Sequence, residues 1–308
     1  MKATKKIKIG TALPYIGLVI VTAFFAIVTG GKTLSLTNLW TIVGQLFTTL
    51  LSATGAIFVM SMGSLDFSQG STLGICCFVA AVLSSTSIPL AFAASIACGA
   101  IIGLFNGLMV AKLKVKSFVA TICIMFMLRG LLQYLCQGFS PKASAEILKM
   151  DIIGTKLAVA FLILMAAYIV YTHTPFGRYV RMIGSGEIAV KYSGVNVNAI
   201  KIVSFVIAGT LAGVAGIFSL LRTGGVIATS GNLLETDVMI SLVLGGLPIT
   251  GGMKSRFSAV VIGALLLTVL ANGLVQIGAS VVLQQMIKGI VFLAVISVTM
   301  DRNADLVK

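Results

Sequence analysis

Side chains able to do covalent or metal chemistry are scarce in this chain, and their spacing excludes most reactions. Its 308 residues include eight Asp and Glu, one His and five Cys. Cys76, Cys77, Cys98, Cys123 and Cys136 lie in or beside apolar runs without CxxC spacing, and His173 has no partner at ligand spacing, so no metal site is expected. The run "AIVTGGKT" (26–33) approaches the phosphate-cradling loop GxxxxGK followed by Ser or Thr. However, Ala26 stands where the first Gly belongs, and an apolar helix rather than a strand leads into it. No GxSxG or HExxH pattern occurs. Neither an active site nor a cofactor is expected, and any use of ATP must reside on another polypeptide.

What remains is charge in unusual places. Asp66, Glu235 and Asp237 fall at apparent membrane depth, and Arg129 lies inside an apolar run. Ionisable groups there are costly and usually face a cavity or a partner. For Arg129, an ion pair, anchoring on carbonyls and a pathway role all stay open. A carrier coupled to protons or sodium often strings several acids or histidines through its helices. The few here favour a solute path energised from outside, with an ion-coupled secondary transporter as the rival. Asp66, Ser68, Asn106 and Asp237 are the candidates to line that path.

The elements that must position these residues are membrane helices. Hydrophobic residues make up 58% of the chain and charged ones 10%, against roughly 25% charged in soluble domains, so water cannot be the main solvent. Apolar runs long enough for a hydrocarbon core about 30 Å thick recur at 13–29, 40–60, 71–86, 88–110, 117–137, 156–172, 200–221, 233–250, 256–275 and 281–299. The expected fold is all-α: one polytopic domain over 1–308 with about ten transmembrane helices. The basic N-terminus followed by a long apolar run reads as an uncleaved first helix.

With both termini in the cytoplasm, fifteen Lys and Arg fall inside and five outside, as the positive-inside rule requires. The net charge of +14 has the same origin, and no nucleic-acid partner is expected. Two runs, "SMGSLDFSQGST" (61–72) and "ETDVMISLVLGGLPITGG" (235–252), mix polar residues, Gly and Pro into apolar surroundings. They read either as backbone broken at membrane depth around a path or as ordinary turns. Asn106-Gly107-Leu108 recurs as Asn272-Gly273-Leu274, which two inverted five-helix halves or chance would explain equally. Gly99, Gly103 and Gly107, and Gly209 with Gly213, have the spacing of close helix contacts.

One polar stretch interrupts the apolar pattern on the inner side. The segment 174–201 carries Arg178, Arg181, Glu187, Lys191 and Lys201 among Gly177, Gly184, Gly186 and Gly194. It can form one or two short helices, with Arg178 and Arg181 on one face. It is either a projection that a cytoplasmic motor pushes or a plain solvated loop.

Three blocks then carry a family resemblance: "GSLDFSQGS" (63–71), "GLFNGLMVAKLKVKSFVATICIMFMLRGL" (103–131) and "TPFGRYVRMIGSGEIAVKYSGVNVNAIKI" (174–202), joined by 235–252. In this order they resemble the permease subunit of bacterial ATP-binding-cassette importers of monosaccharides, a ribose-type group related to branched-chain amino-acid permeases. The resemblance implies a permease in the bacterial inner membrane, paired with a second copy or a paralogue. It also implies cytoplasmic ATPase subunits, an extracytoplasmic solute-binding protein and a small polar solute. It makes 174–201 the coupling element, with Gly177, Arg178, Gly184, Glu187, Ala189, Ser193 and Gly194 as docking residues beside Arg181. The chain departs from the family pattern at Lys116, where a Pro usually stands two residues before Phe118, at Leu247-Pro248-Ile249 and at Met253-Lys254-Ser255. These departures leave the solute open, with a branched-chain amino acid as the alternative.

Overall fold

The computed structural model describes residues 9–299, so the expected cytoplasmic termini lie outside the described residues. Among those residues the chain is all-helical: α1 (Ile9–Val28), α2 (Leu36–Ser61), α3 (Gln69–Leu83), α4 (Ile88–Ala111), α5 (Ser117–Leu135), α6 (Ala145–Leu148), α7 (Ile153–His173), α8 (Pro175–Tyr192), α9 (Val197–Thr223), α10 (Leu234–Leu244), α11 (Ser258–Gln276) and α12 (Val281–Thr299). Six of them, α2, α4, α5, α7, α9 and α11, are long and apolar enough to cross a membrane. Shorter apolar stretches occupy Leu13–Val28, Gln69–Leu83 and Val281–Ser297.

The expected run 233–250 is therefore not one spanning helix. It stops at Leu244, because Gly245 and Gly246 follow and Gly246 turns at φ 93°, a conformation that favours Gly. Eleven residues rise roughly 16 Å, about half a bilayer core. The near-match at 26–33 also lacks its required context: α1 leads into a turn at Gly30 and Gly31, and a single 3-10 turn, Lys32–Leu34, follows.

Burial divides the long helices into an inner and an outer set. In α2, α9 and α11 most of the apolar stretch is buried, whereas α4, α5 and α7 bury fewer than a third of theirs. The outer helices have one packed stripe and an apolar remainder that suits lipid. For α4 that stripe is Gly99, Gly103 and Gly107: Gly99 and Gly103 lie against α9 near Gly209 and Gly213, and Gly107 lies against Ile202. A Cβ on Gly99 would fall on the carbonyl of Gly209, and one on Gly209 would fall on the carbonyl of Gly99. The two glycine patterns thus face each other, and backbone contact replaces the hydrophobic drive that lipid cannot supply.

The helices define two ends of the bundle. At one, the C-termini of α2, α4 and α7 meet the starts of α5, α9 and α11, together with α8. Gly252 N donates to Ser61 O at 2.9 Å there, and Leu65 N donates to Ser117 Oγ at 3.2 Å. At the other, the start of α2 meets the end of α11 through Asn38 Nδ2 donating to Asn272 Oδ1 at 2.9 Å. Asn106 and Asn272 consequently sit toward opposite ends.

Candidate functional site

The segment 174–201 is helical for most of its length, and local chemistry explains its limits. Thr174 caps α8, its Oγ1 accepting from Gly177 N at 3.4 Å, and Pro175 takes the first helical position. An extended residue, Gly186, divides the helix in two. Gly194 then ends it at φ 80°, and Asn196 caps α9 by accepting from Ala199 N at 3.1 Å.

The first half of α8 is clamped to the bundle. Tyr171, wholly buried at the end of α7, shares a 2.7 Å hydrogen bond with Ser61 Oγ at the end of α2. Its ring packs on Phe58 and Phe257, at centroid distances of 5.5 and 5.9 Å. Arg181 of α8 lies over the same ring, 5.1 Å from its centroid, and donates from Nε to Gly177 O at 3.2 Å. Gly177 meets the Tyr171 backbone, and Gly184 meets Ser61 O and Gly252, with no room for a Cβ at either. Ser185 Oγ completes the clamp by accepting from Met253 N at 3.0 Å.

The second half of α8 projects outward. Glu187 and Ala189 are exposed there, as are Ser193 and Gly194 just beyond its end and two large apolar side chains, Ile188 and Tyr192, the latter at 88%; Arg178, in the clamped half, is exposed as well. Beside them opens a cleft of about 770 Å³ between the α4–α5 loop and the α8–α9 turn, bordered by Lys114, Lys116, Lys191, Lys201 and Glu187. Lys201 Nζ reaches Glu187 Oε1 at 2.7 Å, so the cleft stays net positive.

The interior candidates divide into separate groups. Asp66 accepts from Ser68 N at 2.9 Å, Ser68 Oγ at 2.6 Å and Gln69 Nε2 at 2.8 Å. Ser68 Oγ in turn accepts from Asn106 Nδ2 at 2.7 Å. All four residues are buried, so Asp66, Ser68 and Asn106 form one network joining the α2–α3 turn to α4. Asp237 lies elsewhere, on α10, with both carboxylate oxygens 2.8 Å from Lys288 Nζ of α12. Arg129 pairs with Glu235 at 2.7 Å, tying α5 to α10.

Comparison with known proteins matches residues 38–296 to the family described as branched-chain amino acid transport system / permease component. The chain belongs to this permease family. It is 34% identical over 277 residues to the ribose import permease protein of Escherichia coli (strain K12), covering 86% of each. The xylose transport system permease protein of Haemophilus influenzae is 28% identical, covering 94% of this chain and 96% of its own. The galactofuranose transporter permease protein of Escherichia coli (strain K12) is 29% identical, covering 84% and 78%. A comparison with solved structures found no match.

In this permease the coupling candidates from the sequence serve two different surfaces. Gly177, Arg181 and Gly184 face inward into the clamp, and Arg178, Glu187, Ala189, Ser193 and Gly194 face outward. Sequence reasoning missed Ile188 and Tyr192, although two large apolar residues four apart in a polar segment were a usable signal. It also missed the Tyr171 hub, Lys288 and the partner of Arg129. The ion pairs join residues 51 and 106 positions apart, which no local pattern reports.

Proposed function

We propose that the chain is the membrane-spanning permease subunit of an importer for a monosaccharide, driven by ATP hydrolysis on separate cytoplasmic subunits. The carrying observation is α8: half of it is locked to the ends of α2 and α7, and most of the other half is exposed. Movement of the outer half by a motor would pass through Tyr171, Ser61 and Gly252 into α2 and the loop before α11. That converts a push at one end of the bundle into a change of access along it.

The end bearing α8 is cytoplasmic in this reading, both termini lie on that side, and about ten segments span the bacterial inner membrane. A second copy or paralogue completes the path, and an extracytoplasmic binding protein delivers the solute. Asp237, half-buried at a cavity wall, is the path residue of the four candidates. Asp66, Ser68 and Asn106 act beside the path by holding the α2–α3 turn against α4.

The family description favours a second reading, in which the solute is a branched-chain amino acid. The printed names of the relatives, which are for ribose, xylose and galactofuranose, favour a sugar. Ion coupling is disfavoured, because Glu235 and Asp237 are each held by a base rather than arranged as a relay. The test is ATP-dependent uptake of D-ribose, D-xylose, D-galactose and L-leucine by the reconstituted importer. Accumulation of a sugar is expected. Accumulation of leucine alone, or uptake by the purified chain under an ion gradient without ATPase, would overturn the reading.

A further inference from the structure

A cavity of about 340 Å³ opens in the half of the bundle away from α8, between α2, α9, α10, α11 and α12. Its volume is at the lower end of the ligand-pocket range of roughly 300–1,000 Å³, the end suited to one small ring. Gln45, Thr48 and Thr49 reach it from α2 at positions that share a helix face, opposite Thr268 of α11, Asp237 of α10 and Gln284 of α12.

Thr48 is the telling residue. A threonine in an apolar helix ordinarily satisfies its hydroxyl on the carbonyl four residues back, as Thr54 does on Leu50 at 2.6 Å and Thr268 on Ala264 at 2.7 Å. Thr48 is 93% buried by contrast, and its Oγ1 has no partner within the protein. Leaving a buried hydroxyl unpaired is costly, so its retention at a cavity wall points to a ligand.

The wall also specifies what kind of ligand. Amides and hydroxyls both donate and accept, which matches a polyol carrying a hydroxyl on nearly every carbon. Asp237 is a pure acceptor, held in place by Lys288, and Arg222 at the same cavity offers a guanidinium fork able to span two adjacent hydroxyls. Leu73, Leu234, Leu267, Ala271 and Val275 complete the wall and suit the apolar C–H face of a sugar ring.

We propose that this cavity is a solute-recognition site within the permease, taking a monosaccharide in ring form through Gln45, Thr48, Thr49, Asp237 and Gln284. The proposal rests on the importer reading above and adds to it: selectivity resides partly in this chain and not only in a delivering binding protein.

The test measures binding without transport. The full chain with Thr49→Cys, in lipid nanodiscs, is modified by a soluble methanethiosulfonate reagent, counted above the labelling of the five native cysteines. D-ribose, D-xylose or D-galactose should slow modification. Adding Thr48→Val should raise the half-protecting concentration about tenfold, and Gln45→Leu should do likewise. Thr54→Val, whose hydroxyl is bonded within its own helix, should leave it unchanged. Modification unaffected by saturating concentrations of all three sugars would overturn the proposal, as would protection by L-leucine alone. If the reconstituted importer still accumulates a sugar in that case, the site is wrong while the permease reading stands.

Discussion

Arg129 and Glu235 illustrate how much one residue's role depends on its partner. Both side chains are largely buried, and Glu235 keeps a second oxygen without a partner beside Gly70. Removing one member of a buried pair strands the other charge, at a typical cost of about 3–5 kcal/mol. Arg129→Ala should therefore lower thermal stability in detergent sharply, and Arg129→Leu with Glu235→Gln together should recover much of the loss. A loss in the double variant equal to the sum of the two single-variant losses would show that the pair does not couple. Asp66 presents a different case, since its carboxylate accepts three hydrogen bonds. Asp66→Asn turns one acceptor into a donor facing other donors, and should cost on the order of 1–3 kcal/mol in the same assay.

Among the elements, α8 and the α4–α9 pair carry the argument. The docking reading of α8 predicts that Ile188→Ala and Tyr192→Ala weaken co-purification with the ATPase subunit, each by about tenfold, as for anchor residues at an interface. Membrane levels should hold, because both side chains are exposed. Unchanged co-purification and unchanged uptake would leave α8 a plain connector. Gly194→Val is a poorer probe, since φ 80° strains any residue with a Cβ and the turn itself would shift. Glu187→Lys has a similar defect, because it also breaks the pair with Lys201. For α4 and α9, Gly209→Leu would drive a side chain into the carbonyl of Gly99 and the backbone of Gly103. It should lower folded yield and melting temperature, whereas Gly130→Leu, with open space around it, should not.

For the whole molecule, the charge distribution and the two ends of the bundle make one statement about orientation. Ser193 is exposed at the C-terminal cap of α8, and Glu146 lies on the exposed side of α6 at the far end. A cysteine at Ser193 should react with an impermeant thiol reagent only in inside-out vesicles, and one at Glu146 only in intact spheroplasts. The reverse pattern would invert the topology and remove the coupling assignment with it.

Much of this architecture was legible one helix at a time. The apolar runs marked the spanning helices because burying unpaired backbone in lipid leaves few alternatives to a helix. Caps and glycines marked the ends of α8, because Thr174-Pro175 and Gly194 act within a turn of their own position. The glycine spacing of α4 and α9 announced a close contact without naming the partner. Where 233–250 was expected to span, hydropathy averaged across a Gly-Gly turn that the backbone does not ignore.

Composition and local periodicity alone therefore determined that this is a helical membrane protein, where its main helices run and which polar segment interrupts them. Only the tertiary arrangement decided that Arg129 holds Glu235, that Lys288 holds Asp237, that Tyr171 joins α8 to α2, and that Thr48 lines a cavity. The physical reason is range. Helix formation and capping are settled by neighbours three or four residues away, while ion pairs and cavities form between helices whose order along the chain does not specify which faces meet.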